Sequence, residues 1–518
     1  MKSFLAAHCS EIKGVLSGWD RLRLRGTLRW LASHSGMSTY LGTKGILLKQ
    51  FKGWAMGLTE KVRQATVRIA EAAGRPIEYL SSSQLRKEDR AREIAEGDRI
   101  KEGLVCVLTC VEPCSTYEVG PNREKKQLEL RSFSGKCLHQ YFYVQHPDWG
   151  LISLRLQTWL PFSIHVCLNG REWLANSLRR ARIGFVKRDN CFVDVTNPKR
   201  AQELLSQQLQ TDWPKKLDEL VAQFHPAHAT LFEAPTLDYY WSADETEWAT
   251  DILFRSRDSL ATLYPHLVRH AMLDMNCTDV LRFFGRPAMQ QHYHAAELQT
   301  NLKRRHEGVR CKHYLNRNSI KIYDKQETVL RVETTINDAR DIRVFRTPEN
   351  RPNADPSWLP LRKGVADLHR RAEVSQKANE RYLESMATVE AETPLGEAMH
   401  EICQPVTWKG QRVRGLEPFT TSDMQLLSAV MHGEFTLNGF RNRDLRTILF
   451  PEPTTDLQEQ KRRASKVTRQ IRLLRAHGLI QKIPCTHRYQ LTDGGRIAIA
   501  TLLAAQNANS KQLAQLAA

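Results

Sequence analysis

Two features of this chain combine residue types and spacing that suggest chemistry: a pair of carboxylates on a short hairpin, and a run of cations near the C-terminus. In NSIKIYDK-QET-VLRVETTIN (318–337), two β-branched arms flank a short polar turn, which predicts a β-hairpin. Period-two alternation places Ile320, Ile322 and Asp324 on one face and Ser319, Lys321, Tyr323 and Lys325 on the other. In the second arm, Leu330, Val332 and Thr334 alternate with Arg331, Glu333 and Thr335. A tight turn is expected to bring Asp324 and Glu333 together, and carboxylates fixed on strands are oxygen ligands for Mg²⁺ or Mn²⁺. An ion held there polarises a phosphodiester and stabilises the departing oxygen. Asp20, beside Arg21 at the start of an N-terminal strand, is the candidate third carboxylate, although Trp-Asp-Arg equally suits a turn with a surface ion pair. Charged residues at hairpin ends also serve as ordinary edge-strand protection.

The cationic run lies between Lys461 and Arg488, which hold nine Lys or Arg between them and no Asp or Glu. It follows the amphipathic stretch 422–434 and a short helical stretch 442–450 cut off by Pro451 and Pro453. Residues 459–479 read as a long third helix closed by Gly478, 481–495 as a two-stranded ribbon, and GRIAIATLLAA as a final helix. Val467, Ile471 and Leu474 share the core-facing spacing, with Arg462, Lys466 and Arg469 on the roughly opposite side. This order resembles the winged-helix family, a variant of the helix-turn-helix. The resemblance implies duplex DNA binding through Arg462, Arg463, Lys466, Arg469 and Arg472, with His487 and Arg488 at the tip of the wing. Lys and Arg would supply phosphate contacts, whereas Thr468, Arg469 or Gln470 would reach base edges.

The string HYLNRNSIKIYDKQETVLRVETTIN resembles a segment of plasmid and phage rolling-circle replication initiators, in which a strand ending Tyr-Asn/Asp-Lys pairs with one reading Arg-aromatic/Val-Glu. The resemblance implies a metal-placing role for Glu333 beside Asp324, and a nucleophile at Tyr314, shortly before the first strand. Tyr323, Asp324 and Lys325 match the first strand, and Arg331 and Glu333 the second. Ser319 fits the glycine and serine pattern that usually precedes it, and Asn318 does not.

The elements that must position these residues belong to a long chain. Its 518 residues suggest two to four domains, and its charge of +19 suggests a polyanionic partner. Duplex DNA is the expected partner, with single-stranded DNA or RNA as alternatives. The longest apolar runs are too short to cross a bilayer, and no secretory core is complete before Glu11, so a cytoplasmic protein without membrane association is expected. Eleven scattered Cys do not form a disulfide framework, and Cys106, Cys110 and Cys114 read as a buried strand rather than a zinc site.

An α+β fold is expected, with a mixed body followed by a winged-helix domain. Residues 1–100 are mostly helical, with a strand in WDRLRLRGTLRWL, and 101–200 are strand-rich. Residues 201–300 are helical without a detectable repeat, and 301–345 contain the hairpin of the candidate catalytic core. Residues 346–414 are linker and helix, and 415–518 are the DNA-binding domain. Tyr239, Tyr240 and Trp241, or Tyr141, Phe142 and Tyr143, are candidates to stack on bases. His292-Tyr293-His294 reads as helix rather than a metal motif. Phosphate-binding Gly loops, Gly-x-Ser-x-Gly and dinucleotide fingerprints are missing from the sequence. The reading is a DNA-binding protein of a mobile or replicating element, in one version a metal-dependent nickase, in another a non-catalytic regulator, and in a third an RNA-binding protein.

Overall fold

The computed structural model describes the chain outside residues 82–85, 125, 232–236, 274, 276, 286–297, 306–307, 341, 349–350, 352, 388–398, 401, 432–434, 436–438, 453, 485 and 508–518. His292–His294 lie outside the described residues. The fold is mixed α/β, in agreement with the α+β expectation. Its first part holds β1 (Ile12–Leu28), α1 (Phe51–Ala72), β2 (Ile77–Tyr79), α2 (Lys87–Gly97), β3 (Gly103–Asn122), β4 (Gln127–His146), β5 (Gly150–Gln157), β6 (Ile164–Asn169) and α3 (Gly170–Arg180). A hairpin, β7 (Phe185–Arg188) and β8 (Cys191–Val195), then leads to α4 (Pro198–Ser206) and α5 (Trp213–Phe224). The second part holds β9 (Tyr239–Phe254), α6 (Arg257–Leu273), β10 (Leu298–Arg305), β11 (Gly308–Leu315), β12 (Asn318–Lys325) and β13 (Val329–Ile336). It closes with β14 (Arg343–Arg346), β15 (Ser357–Pro360) and α7 (Leu368–Met386).

One sheet of eleven strands joins both parts, in the order β10-β11-β12-β13-β9-β1-β6-β5-β4-β3-β2. In each part a long first strand is followed by helix and then by four antiparallel strands, the last of which returns to pair with the first. β1 and β9 pair antiparallel at the centre, so the two parts are related by an approximate two-fold axis through the Leu22–Thr246 pair. This internal repeat leaves no trace in sequence spacing, because the lengths of the intervening helical segments differ.

β1 and β9 are each bulged near that axis. Asp20 is the extra residue between Trp19 and Arg21, and Asp244 the extra residue between Ala243 and Glu245. A bulge shifts the alternation of faces by one residue. In β1 the helix-packed face therefore carries Val15, Ser17 and Trp19 before the bulge, and Leu22, Leu24 and Leu28 after it. The strand thus begins earlier than the alternation from Trp19 onwards suggests. β9 corrects the expectation of helix across 201–300, and its Tyr239 and Trp241 are core residues rather than a stacking platform.

The apolar face of the sheet is covered by helices. Phe51, Ala55, Leu58 and Val62 recur at helical spacing on α1, and with Leu217 and Phe224 of α5 they enclose Leu22, Leu24, Phe142, Leu154 and Val166. α6 and α7 cover the other half through Leu260, Leu263, Leu267, Tyr382 and Leu383 on Ile252, Ile320, Ile322 and Val332. The opposite face is polar along its middle and covered at two places. α2 lays Ala91 and Ile94 on Cys106, Leu108 and Tyr143. α3 and α4 lay Leu174, Leu178, Ala201 and Leu205 on Leu16 and Leu253. Phe142 is thus buried on the back and Tyr143 under α2, while Tyr141 is half-buried and lines a cleft on the polar face. Cys106, Cys110 and Cys114 are buried in β3, as their apolar surroundings indicate.

The C-terminal part has its own core. β16 (Val406–Trp408) and β17 (Gln411–Val413) form a hairpin, followed by α8 (Thr421–Val430), α9 (Asn442–Leu449) and α10 (Leu457–Ala476). A ribbon of β18 (Ile480–Lys482) and β19 (Tyr489–Leu491) and a final helix, α11 (Asp493–Asn507), complete it. Val467, Ile471 and Leu474 are buried as their spacing requires. The loop expected across 346–360 is bounded by β14 and β15, which pair with each other.

α4 reaches the sheet only because Gly14 and Gly18 leave room for it. A Cβ on Gly14 would lie 2.3 Å from Cβ of Pro198, and one on Gly18 would lie 2.5 Å from Cγ of Leu205. The proline ring cannot rotate away, so Gly14→Ala should lower stability by about 1–3 kcal/mol through overpacking. A urea titration showing an unchanged midpoint would contradict this packing of α4 on β1.

Candidate functional site

The polar face of the sheet forms a trough between α2 on one side and α3 and α4 on the other. Its floor near the centre is a dense charge network. Pairing registers align Lys321 with Glu333, Tyr323 with Arg331, Arg331 with Asp251, and Thr335 with Glu247, which puts these side chains on one face. Asp20 continues the alternation of Leu16 and Gly18 onto the same face, and oxygens of Asp20, Glu247 and Glu333 all lie within 4.8 Å of one another.

Arg331 is fully buried and forks onto Asp251, with Nε to Oδ1 at 2.5 Å and a second nitrogen to Oδ2 at 2.9 Å. It also donates to Asp20 at 3.1 Å and to the Asn190 carbonyl at 2.8 Å. Arg171, presented by α3 and equally buried, lies 3.2 Å from Asp251 and 3.5 Å from Asp20. Asn190, from the β7–β8 turn, donates to Asp20 at 2.8 Å. Lys321 touches Glu333 and lies 3.4 Å from Glu247. Burial alone would raise the Asp20 carboxyl, but Arg331 and Arg171 outweigh it and hold the group below the usual carboxylate range. Burial pushes Glu333 up to about 7 against the pull of Lys321, with Glu247 and Asp20 adding to the rise.

The arrangement separates a fixed part from an adjustable one. Arg331 is locked onto Asp251 by a forked, buried contact and Arg171 is held by the Ala249 carbonyl at 2.9 Å, whereas Glu247 is half-buried and Lys321 is a point charge on a flexible stem. Asp20, Asp251, Glu247 and Glu333 thus face Arg171, Arg331 and Lys321, with Lys325 also acting on Asp20 and Arg21 3.9 Å from Glu247. Three hard oxygen donors on rigid strands suit a divalent cation of the Mg²⁺ or Mn²⁺ kind.

Sequence reasoning identifies Glu333 and Asp20 for this cluster and misses Glu247, because β9 reads as helical. Asp324 is a correction. It pairs with Leu330 on the opposite face, among Ile320 and Ile322, so the sheet itself separates it from Glu333. Burial raises its carboxyl, with Glu327 adding to the effect. Two tyrosines share the trough face. Tyr314 aligns through Ser319 and Thr335 with Glu247, three strand spacings or about 14 Å away along the sheet. Lys312 sits 4.1 Å from its ring centroid, and although burial opposes it, this lysine lowers the phenol below its ordinary range. Tyr323 stands on the strand next to Glu333, with Lys321 and Lys325 each 5.5 Å and Arg310 5.9 Å from its ring centroid.

On α10, Arg462, Lys466 and Arg469 are exposed. Arg462 and Arg463 both pair with Glu459, at 2.7 and 2.9 Å, and Arg463 lies 5.2 Å from the Phe450 ring centroid. Arg472 donates to Gln411 and lies 5.9 Å from the Trp408 ring, so the β16–β17 hairpin engages it. His487 is exposed in the β18–β19 turn. Arg488 is a second correction. It is buried, donates to the Gly439 carbonyl at 2.9 Å and stacks 4.3 Å from the Phe345 ring centroid, which makes it a strut between ribbon and body rather than a wing-tip contact.

No family model, curated protein or solved structure matches this chain. No helix among the described residues is long and apolar enough to cross a membrane.

The buried network makes a quantitative expectation. Arg331→Met keeps most of the side-chain volume but leaves Asp251 with Arg171 alone, and breaking one side of such a pair costs about 3–5 kcal/mol. Chemical unfolding should show a loss of that size. A loss below about 1 kcal/mol would mean that Arg331 is not the cation that holds the trough floor together.

Proposed function

We propose that this chain is a metal-dependent DNA-nicking protein of the replication-initiator kind, with its active centre at Asp20, Glu247 and Glu333 and a C-terminal winged-helix module that binds duplex DNA. The observation that carries the reading is the convergence of three carboxylates from β1, β9 and β13 on one sheet face, with Asp20 and Glu333 buried and Glu247 half-buried. A divalent cation held there would supply charge neutralisation at the scissile phosphodiester.

The remaining work falls to the chain's own side chains. Asp251 fixes Arg331, and Arg331 and Arg171 together hold Asp20 towards the cluster. Lys321 lies between Glu333 and Glu247, where it can follow either carboxylate or a phosphate oxygen. Tyr323 is the preferred nucleophile, because it is one strand from Glu333 whereas Tyr314 is two strands away. Lys321 and Lys325, each 5.5 Å from its ring centroid, and Arg310 at 5.9 Å are placed to meet the charge of a phosphodiester brought to it. In the step itself the phenolic oxygen bonds to phosphorus, the bond from phosphorus to the departing sugar oxygen breaks, and that oxygen takes the proton given up by the tyrosine. The strand end stays linked to the protein as a phosphotyrosine diester.

Three helices, a short ribbon and a closing helix support the winged-helix assignment, as does the exposed face of Arg462, Lys466 and Arg469. The contact of Lys321 with Glu333 favours a second reading, in which the charges are a structural network and the protein is a non-catalytic regulator.

A paired experiment separates the two. Supercoiled and single-stranded DNA carrying the element's ends are incubated with Mg²⁺ or Mn²⁺ and wild type, Glu333→Gln, Tyr323→Phe or Tyr314→Phe. Nicking should fall at least a hundredfold in the first two variants and persist in the third, with a covalent adduct lost only in Tyr323→Phe and Glu333→Gln. Replacing Arg462, Lys466 and Arg469 together should instead weaken duplex binding and reduce the salt slope by about 0.9 for each phosphate no longer neutralised. Absence of nicking in wild type, with duplex binding intact, would select the regulator.

A further inference from the structure

The approximate two-fold axis builds the pocket around Glu333 a second time. Following the pairing registers outward from Leu22–Thr246, Asp20 corresponds to Asp244, Glu333 to His165, Lys321 to Arg155 and Ser319 to Ser153. Asp244, the extra residue at the second bulge, lines an open cleft of 390 Å³ on the other half of the trough. Its chemistry differs from that of the first. A histidine stands where the ligand carboxylate Glu333 stands, and Arg23 occupies the position matching Glu247. His165 contacts Asp244 at 3.2 Å and Arg155 at 3.4 Å, and burial lowers its imidazole below the ordinary range, so it is neutral and can accept or donate. Arg155 is held by Glu112 at 3.0 Å and by the Tyr141 hydroxyl at 3.0 Å. Fixed donors and acceptors in a shallow cleft match the polar edge of a nucleobase.

The two pockets are joined by β1. Beyond its bulge, Arg21, Arg23 and Arg25 alternate onto the trough face, the first two exposed and the third half-buried. Alternate residues on a strand are about 6.7 Å apart, close to the phosphate repeat of an extended nucleic-acid backbone. We propose that single-stranded DNA follows Arg21, Arg23 and Arg25 away from the carboxylate centre and places one unstacked base in the cleft at Arg155, His165 and Asp244. This rests on the nicking role given to that centre, and it adds a strand track and a base-binding subsite that the centre itself does not require. On this face Arg21 stands 3.9 Å from Glu247 and Arg23 opposite Glu245, yet both arginines remain exposed to the phosphates of a single strand, and the duplex is left to the C-terminal module.

The test uses the full-length protein in chelator, so that cleavage plays no part. Fluorescence anisotropy is measured with a labelled single-stranded DNA of mixed sequence, the same sequence as RNA, and a duplex. Arg23→Glu should lose at least tenfold in affinity for single-stranded DNA and lower the salt slope by about 0.7 for each phosphate no longer neutralised, with duplex affinity unchanged. Arg23→Lys should restore most of the affinity. Arg23 is exposed, so neither change threatens the fold. An iodouracil-substituted strand should crosslink to peptides of β4–β6. Unchanged single-strand affinity in Arg23→Glu, an equal loss for duplex, tighter binding of RNA than of DNA, or crosslinks confined to the C-terminal helices would each overturn the track. A wild type that never nicks but shows the Arg23 dependence would defeat the nicking assignment and leave the track standing.

Discussion

The antiparallel pairing of β1 with β9 is the constraint on which the rest of the structure depends. It closes two similar halves into one sheet, and the bulge in each strand decides what the trough contains. Without the first bulge, the alternation of Gly14, Leu16 and Gly18 would still put Asp20 on the trough face, but Arg21 and the arginines after it would turn to the helix-packed face. One carboxylate from each central strand and one from β13 meet on the trough face. Bulges are common beside active sites because an extra residue re-aims a side chain without disturbing the distant ladder. Here the same device, used twice about one axis, stands beside an acidic pocket and a mixed one.

The charges in the acidic pocket are arranged so that their burial is tolerable. An isolated buried carboxylate would neutralise itself by taking up a proton. Asp20 and Asp251 avoid this because Arg331 and Arg171 supply charged donors at hydrogen-bond or near hydrogen-bond distance. Glu333 is less well compensated, and its carboxyl is correspondingly raised. A carboxyl raised by desolvation against a specific charge partner is what marks Glu333 as a functional-site candidate. A purely structural pair would gain more from better matched partners.

The parts of the fold that are legible in the sequence are those where periodicity is unbroken. The β12–β13 hairpin shows it, with Ile320, Ile322, Leu330 and Val332 in phase on either side of a short turn, and α10 shows it through Val467, Ile471 and Leu474. β9 is illegible for a physical reason. Its bulge at Asp244 moves the buried set from Tyr239, Trp241 and Ala243 to Thr246, Trp248 and Thr250, so neither a period of two nor an apolar run survives across the strand. Glu247 is hidden with it. Asp324 misleads because its proximity to Glu333 along the hairpin is more conspicuous than the alternation that places it on the opposite face. Arg488 misleads differently, since nothing local distinguishes an arginine exposed at a turn from one that crosses to Phe345 in another part of the chain.

The central claim is that Asp20, Glu247 and Glu333, drawn from three strands of the two halves, act together on one divalent cation. Isothermal titration of Mn²⁺ into metal-stripped full-length protein tests it without reference to any DNA. The account predicts one site per chain, weakened at least tenfold in affinity in Glu247→Gln, the ligand that sequence alone does not reveal, and unaffected in Asp324→Asn, on the far face of the sheet. Equal binding by wild type and Glu247→Gln, or a loss in Asp324→Asn alone, would contradict it.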